Sequence, residues 1–439
     1  MKLVSIWAER LRDVTVAHWV AALCLAVLAV GVQAVTPDDH SRQPAEAHWV
    51  ASWAVAPVDF TEMAAAPGGA NYSSPAGNDL RGQTLRQKVE LSLDGERIRI
   101  RFSNRFGKTP LRIAAASAAR GTGADAFSPA TLRVLRFGGR TTMTVAPGAD
   151  AWSDGIDLPV QAGQTVVVSA FFDRTTPFAT VSMLEPGATW IAPGNAVMAP
   201  KLKNPSPLVL NQIVTGLDVL TTKSVRTVVA FGDSITMGTS EGNFGAYPDM
   251  LATRLRDTQR EGQDVAVLNA GIGGNRLLAN GLGPSGLSRF ELDALRQSSV
   301  THAIILMGTN DIGRTLFAKV PGAELKPRDM PTAERITEGL EQLVKQARAK
   351  GVKVLLGTVP PFRNTPYWSE GNEAMREAVN RWIRGQQDID GVVDFDAALR
   401  DPADPKALNP LFDSGDHLHP NKAGHAAMAT AIDLRELQE

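Results

Sequence analysis

The sequence predicts an all-β, sandwich-like region followed by an α/β region with a parallel sheet and helices on both faces. Three observations predict it. From about residue 47 to residue 220 apolar residues recur with period two, and few stretches carry a helical period. From about residue 226 onward, short apolar runs alternate with amphipathic helical stretches. The two patterns meet near Leu220, within a chain of 439 residues that is long enough for two or three domains. The expected organisation is a signal segment over 1–34, a polar linker over 35–46, a β-sandwich-like domain over 47–220 and an α/β domain over 221–439.

The N-terminus differs from the rest. Lys2, Arg10 and Arg12 precede an apolar run from Trp19 to Val35 that contains Gly31-Val32-Gln33-Ala34. A basic start, an apolar stretch and small residues at its end form a secretory signal pattern, with Ala34 as the cleavage point. An uncleaved membrane anchor is the alternative, because the run approaches the length of a span. The expected location is therefore secreted or periplasmic, or else membrane-anchored. Cys24 is the one cysteine, which excludes zinc ribbons, thiol catalysis and a disulfide framework. Lys plus Arg number 45 against 46 Asp plus Glu, so the basic excess of a nucleic-acid binder is missing.

In the β-rich part, Val89, Leu91 and Leu93 alternate with polar residues before Asp94-Gly95, and Ile98, Ile100 and Phe102 alternate after it. This predicts a hairpin. Leu132–Phe137, Gly138-Gly139 and Thr141–Val145 predict a second one, and Val166–Phe172 a buried strand. Arg97, Arg99 and Arg101 read as the solvated side of a half-buried strand, with a ligand face as the alternative. The Gly/Ala/Pro-rich stretch 64–82 reads as a long loop. Pro200–Pro207 fits a loop or the linker.

In the second part, strands are expected at 228–231, 265–268, 303–307, 352–356 and 392–395. Helices are expected at 247–256, 332–350 (ended by Gly351), 373–384 and 422–437. Ligands of parallel sheets sit at the carboxyl ends of the strands. There the first strand runs into Gly232-Asp233-Ser234-Ile235-Thr236, which places a serine as a nucleophile or as a helix cap. A base is available in Asp416-His417-Leu418-His419-Pro420: His419 as base, Asp416 as its orienting partner, with His417 the competitor. His302 and His425 read as structural. The second strand ends in Asn269-Ala270-Gly271-Ile272-Gly273-Gly274-Asn275, where glycines let a backbone N–H approach a ligand, or form only a turn. The third ends in Gly308-Thr309-Asn310-Asp311, where Asn310 is an amide donor or another cap.

These four segments, in this order, resemble the motif blocks of the SGNH hydrolases, the GDSL-type esterase/lipase superfamily. Ile235-Thr236 replaces the commonest Leu ending of the first block. Trp49-Val50-Ala51-Ser52-Trp53, Gly273–Leu278 and Leu287–Phe290 are also similar to a secreted two-domain subgroup in which a β-rich domain comes first. The resemblance implies a three-layer, flavodoxin-like fold. It implies Ser234 as nucleophile, Asp416 and His419 as its triad partners, and Ser234 N–H, Gly274 N–H and Asn310 as oxyanion donors. Gly274 rather than Gly273 is chosen by its spacing from Asn269. No cofactor and no metal are implied. The expected function is ester hydrolysis, on a short-chain ester or an acetylated carbohydrate. The alternatives are a lipase or lysophospholipase, an acyltransferase with the same triad, and a binding module with a degenerate hydrolase domain. Expected partners are small-molecule or polysaccharide esters, with no nucleic acid, and a membrane only through an uncleaved anchor. Oligomeric state is not legible.

Overall fold

Asp94-Gly95 does not close a hairpin. In a computed structural model, which describes residues 46–65, 79–183, 188–239, 245–258, 264–319 and 329–438, the strands on either side of this dipeptide enter different sheets. Gln83–Glu90 pairs with 165–172 and 189–193, whereas Gly95–Ser103 pairs with 214–221, 150–152 and 156–160. Gly95 is needed for close packing rather than for a left-handed turn: a Cβ there would lie 2.6 Å from Val219 Cβ. The signal-like segment, the linker up to residue 45, Cys24 and most of the 64–82 stretch lie outside the described residues.

The β-rich part contains two main antiparallel sheets. One is ordered 48–54, 214–221, 95–103 and 150–152, with 156–160 also pairing with 95–103. The other is ordered 206–208, 189–193, 83–90, 165–172, 115–120 and 133–134. Ser206–Leu208 thus belongs to this sheet. Ile98, Ile100, Phe102, Leu217 and Val219 of the first sheet share one apolar cluster with Leu85, Val89, Val166 and Val168 of the second. Each such side chain contributes roughly 1.5–3 kcal/mol by leaving water. The second expected hairpin keeps only its turn. Gly138 and Gly139 have positive φ and Phe137 bridges Arg140, but 133–134 pairs with 117–118, and 143–145 pairs with 111–113.

The arginine row also differs from expectation. Arg97 is exposed and pairs with Asp157 at 2.8 Å. Arg99, however, stacks against Trp49 and Trp152 and grips Asp218 with two hydrogen bonds of 2.9 and 2.7 Å, while Arg101 is buried and donates to Thr215 O at 2.9 Å. The face is covered because the α/β part packs on it: Ala51 N–H donates to Ser298 O, and Ser298 Oγ donates to Asp218 Oδ2. Ala47 to Glu439 form one compact unit.

The α/β part is built on five parallel strands: β1 (Val225–Gly232), β2 (Asp264–Gly271), β3 (Val300–Leu306), β4 (Lys353–Gly357) and β5 (Gly391–Val393). Their order is β2-β1-β3-β4-β5, so the order reverses at β1. The helices are α1 (Ser234–Met237), α2 (Tyr247–Thr258), α3 (Gly286–Phe290), α4 (Thr309–Gly313), α5 (Ala333–Arg348), α6 (Glu370–Arg384), α7 (Phe395–Leu399), α8 (Lys422–Ala431) and α9 (Leu434–Gln438). Thr332, Ser369 and Asn421 cap α5, α6 and α8, each accepting the backbone N–H three residues on. The expected final helix is interrupted: Ile432 is extended and fully buried, and Arg254 caps the end of α8 by donating to Ala429 O and Ile432 O. Among the described residues no helix is long and apolar enough to cross a membrane.

His302 and His425 are buried, and desolvation, their largest influence, pushes both down to about 4. A folded-state value below the unfolded one means that the folded protein binds fewer protons, so stability is lost as pH falls from about 6.5 to about 4. Both ring nitrogens of His425 lack a hydrogen-bond partner. His425→Leu is therefore expected to gain stability relative to the parent as pH falls through that window, by roughly 3 kcal/mol at its lower end. Urea unfolding of both proteins at pH 7 and pH 4 checks this, and a pH-independent difference contradicts it. Gly95→Ala is expected to lower the urea midpoint by the equivalent of about 1–3 kcal/mol, through its clash with Val219.

Candidate active site

The strand order reverses between β1 and its two neighbours, β2 and β3. The crevice beyond their carboxyl ends is where an open parallel sheet receives a ligand. β1 ends at Gly232, and the chain turns at once into α1. Asp233, not Ser234, caps this helix, accepting Ile235 N–H at 3.0 Å. Ser234 is thereby released from capping and occupies the first helical position. Gly271 at the end of β2 allows the tight fit, since a Cβ there would lie 2.4 Å from Met237 N.

Ser234 Oγ lies 2.8 Å from His419 Nε2, and His419 Nδ1 lies 2.6 Å from Asp416 Oδ2. A proton on Nδ1 suits the carboxylate and leaves Nε2 as an acceptor facing the hydroxyl. Asp416 Oδ1 accepts the backbone N–H groups of Leu418 (3.0 Å) and His419 (2.8 Å) and the Ser414 hydroxyl (3.1 Å). Partial desolvation acts upward on this carboxyl. The bonds from the His419 ring and from the two N–H groups outweigh it and hold it at about 2. His417 turns away: it has φ of 63° and binds Asp413 Oδ2 through Nδ1 at 2.6 Å.

Asn310 lies in the first turn of α4, which Gly308 rather than Asn310 caps. Its amide nitrogen donates to Asp233 Oδ2 and to Asn275 O, each at 3.1 Å, and its amide oxygen accepts from Tyr367 Oη at 3.1 Å. Burial pushes Asp233 up to about 6. Gly274, with φ of 67°, sits in the loop after β2, and Gly273 before it faces Met183 and Met237. The structure therefore forms two hydrogen-bonded series, Asp416–His419–Ser234 and Asp233–Asn310–Tyr367, which meet where Asp233 and Ser234 are neighbours in the chain; the Gly274 loop is attached to the second through Asn275 O.

Four further residues shape the site. Asn275 holds its own loop by donating to Leu282 O and Pro284 O. Asp311, pushed up to about 6 by burial, accepts Leu277 N–H (2.7 Å) and Leu278 N–H (3.0 Å). Tyr367 orients the Asn310 amide. Arg289, 2% exposed, donates to Gly232 O (2.7 Å), Ala270 O (2.9 Å) and Asn275 Oδ1 (2.9 Å). Asn275, Arg289 and Asp311 stand inside the segments 269–275, 287–290 and 308–311, but nothing local distinguishes their roles. Tyr367 carries no signal at all. Among the described residues no group of three or more His, Cys, Asp or Glu is arranged to hold a metal ion.

Residues 230–427 match the GDSL-like Lipase/Acylhydrolase family. An esterase of Bacillus subtilis named YxiM is 30% identical over 124 residues, which cover 26% of this chain and 31% of that protein; the chain thus matches less than a third of this relative's length. Similar solved structures include Axe2, an acetylxylan esterase from Geobacillus stearothermophilus (23% identity, 48% of this chain and 93% of that one, TM-score 0.37). An aryl esterase of M. smegmatis is also similar (20% identity, 48% of this chain and 99% of that one, TM-score 0.36). Its four motif blocks, its five-stranded parallel sheet and the family match together identify the C-terminal half of the chain, behind a β-rich region, as a GDSL/SGNH hydrolase domain.

Proposed function

We propose that the protein is an exported serine esterase that hydrolyses carboxylic esters through Ser234, His419 and Asp416. The observation that carries this reading is the continuous chain from Asp416 through His419 to Ser234, at 2.6 and 2.8 Å. His419 Nε2 takes the hydroxyl proton as Oγ bonds to the ester carbonyl carbon. The carbonyl oxygen gains the negative charge and rests against Ser234 N–H, Gly274 N–H and the Asn310 amide, one of whose two N–H groups gives up its bond to Asp233 Oδ2 or Asn275 O. The C–O bond to the alcohol breaks, and His419 returns the proton to the leaving oxygen. Water then attacks the acyl-serine by the same route and releases the acid. Asp416 holds the imidazole in its working tautomer and stabilises the imidazolium. The acyl group is taken to be small, as in a short-chain ester or an acetylated carbohydrate. Export rests on the Lys2–Ala34 pattern.

Ser234→Ala is expected to lower kcat on p-nitrophenyl acetate by about 10³-fold or more. The parent should prefer acetate to butyrate and butyrate to palmitate. Equal rates for parent and variant overturn the serine mechanism, and a palmitate preference overturns the short-chain reading. Asn310→Ala is expected to lose about 10²–10³ in kcat, on the order of 3 kcal/mol, with a smaller change in KM. Because Asp416 stays ionised down to about pH 2, activity lost on acidification above pH 4 comes from another group. Asp416→Asn should lower kcat by on the order of 10⁴ across the profile. An unchanged kcat at neutral pH contradicts that assignment.

A further inference from the structure

The β-rich part touches the loops of the candidate active site through Met183 and Val58, and it reaches the base of the site through Arg105. Arg105 follows the strand Gly95–Ser103, and its guanidinium is only 12% exposed. It donates to Asp293 Oδ1 at 2.5 Å and to Asp150 Oδ2 at 3.3 Å. The other Asp293 oxygen lies 3.4 Å from Arg289, the residue that holds the carbonyls ending β1 and β2 and the Asn275 side chain. Asp293 is itself buried, so one carboxylate is shared between two guanidiniums in a space with little water. Its short bond goes to Arg105 and its long one to Arg289. Arg289 is thereby left with N–H groups for Gly232 O and Ala270 O, and its guanidinium lies 3.9 Å from the Phe231 ring centroid. Both arginines remain charged at neutral pH, since Arg289 falls only to about 10 and Arg105 lies above its ordinary value.

We propose that Arg105 is a positioning residue for the ester-hydrolysing site: it holds Asp293 off Arg289 and so fixes the strand ends that carry Ser234 and the Gly274 loop. This inference rests on the serine-esterase reading above. Without Arg105, the Asp293 carboxylate closes on Arg289 and draws it away from Gly232 O and Ala270 O. The donors around the oxyanion then lose their aim, while the substrate's ground-state contacts are little changed. The β-rich part is, in this account, a component of the catalytic geometry.

The test uses the full chain with p-nitrophenyl acetate, together with inactivation by phenylmethanesulfonyl fluoride. Arg105→Gln is expected to lower kcat by about tenfold to a hundredfold, the usual cost of a displacement near 1 Å, with KM within about twofold. The inactivation rate should fall in parallel. Adding Asp293→Asn to Arg105→Gln removes the displacing charge and should recover most of the lost kcat. Arg105→Lys, which keeps a cation there, should fall in between and serves if Arg105→Gln does not fold. An unchanged kcat in folded Arg105→Gln overturns the proposal. So does a loss that tracks only the fraction of folded protein, or a double variant worse than the single one. If Ser234→Ala proves as active as the parent, it is the serine-esterase reading that fails instead.

Discussion

The crevice at the carboxyl ends of β1 and β2 depends on a buried cation. Arg289 sits beneath the crevice with its guanidinium over the Phe231 ring, and it ties the ends of β1 and β2, already neighbours in the parallel ladder, to the loop through Asn275. A guanidinium suits this task because its planar fork presents several donors in fixed directions. Burying it unpaired would cost several kcal/mol, and Asp293 together with the carbonyl oxygens offsets that cost. The backbone carbonyls at the strand ends are satisfied in turn. The turn into α1 can then be as tight as Gly271 allows, which sets the height of Ser234 above the sheet.

The polar groups around this base have distinct electrostatic settings. Asp416 is held by hydrogen bonds in a partly open loop and stays ionised far into acid. Asp233 and Asp311 are buried and pulled upward, and each uses its oxygens to fix backbone N–H groups or the Asn310 amide. The same residue type thus serves as an imidazole partner in one place and as a scaffold brace in two others, and solvent access and the number of donors separate the roles.

Much of this was legible in the chain. The alternation of short apolar runs with helical stretches gives the parallel sheet, because both faces of such a sheet are buried and its strands read as continuous apolar runs. Ser234, Asn310, Asp416 and His419 all stand just beyond predicted strands or in a short polar run, where local spacing carries information. What was not legible depends on contacts distant in sequence. The Asp94-Gly95 pair looks like a hairpin, but the partner that fixes its geometry is Val219. Arg99 looks solvated until Asp218 and Ser298 close over it. Arg105 and Asp293 stand 188 residues apart, and neither has a local pattern that announces the pair. The final helix breaks because Ile432 gains more by burial than by continuing the helix, a tertiary preference that helical periodicity does not encode.

The most direct test of the account is to identify the residue that carries the acyl group. The full chain would be mixed with p-nitrophenyl acetate, quenched in acid within milliseconds, digested and mapped by mass spectrometry. The account predicts a single added acetyl group on the peptide containing Ser234, absent when His419 is replaced by alanine. Turnover of the ester with no acetyl group on Ser234, or with the acetyl group on another side chain, would contradict it.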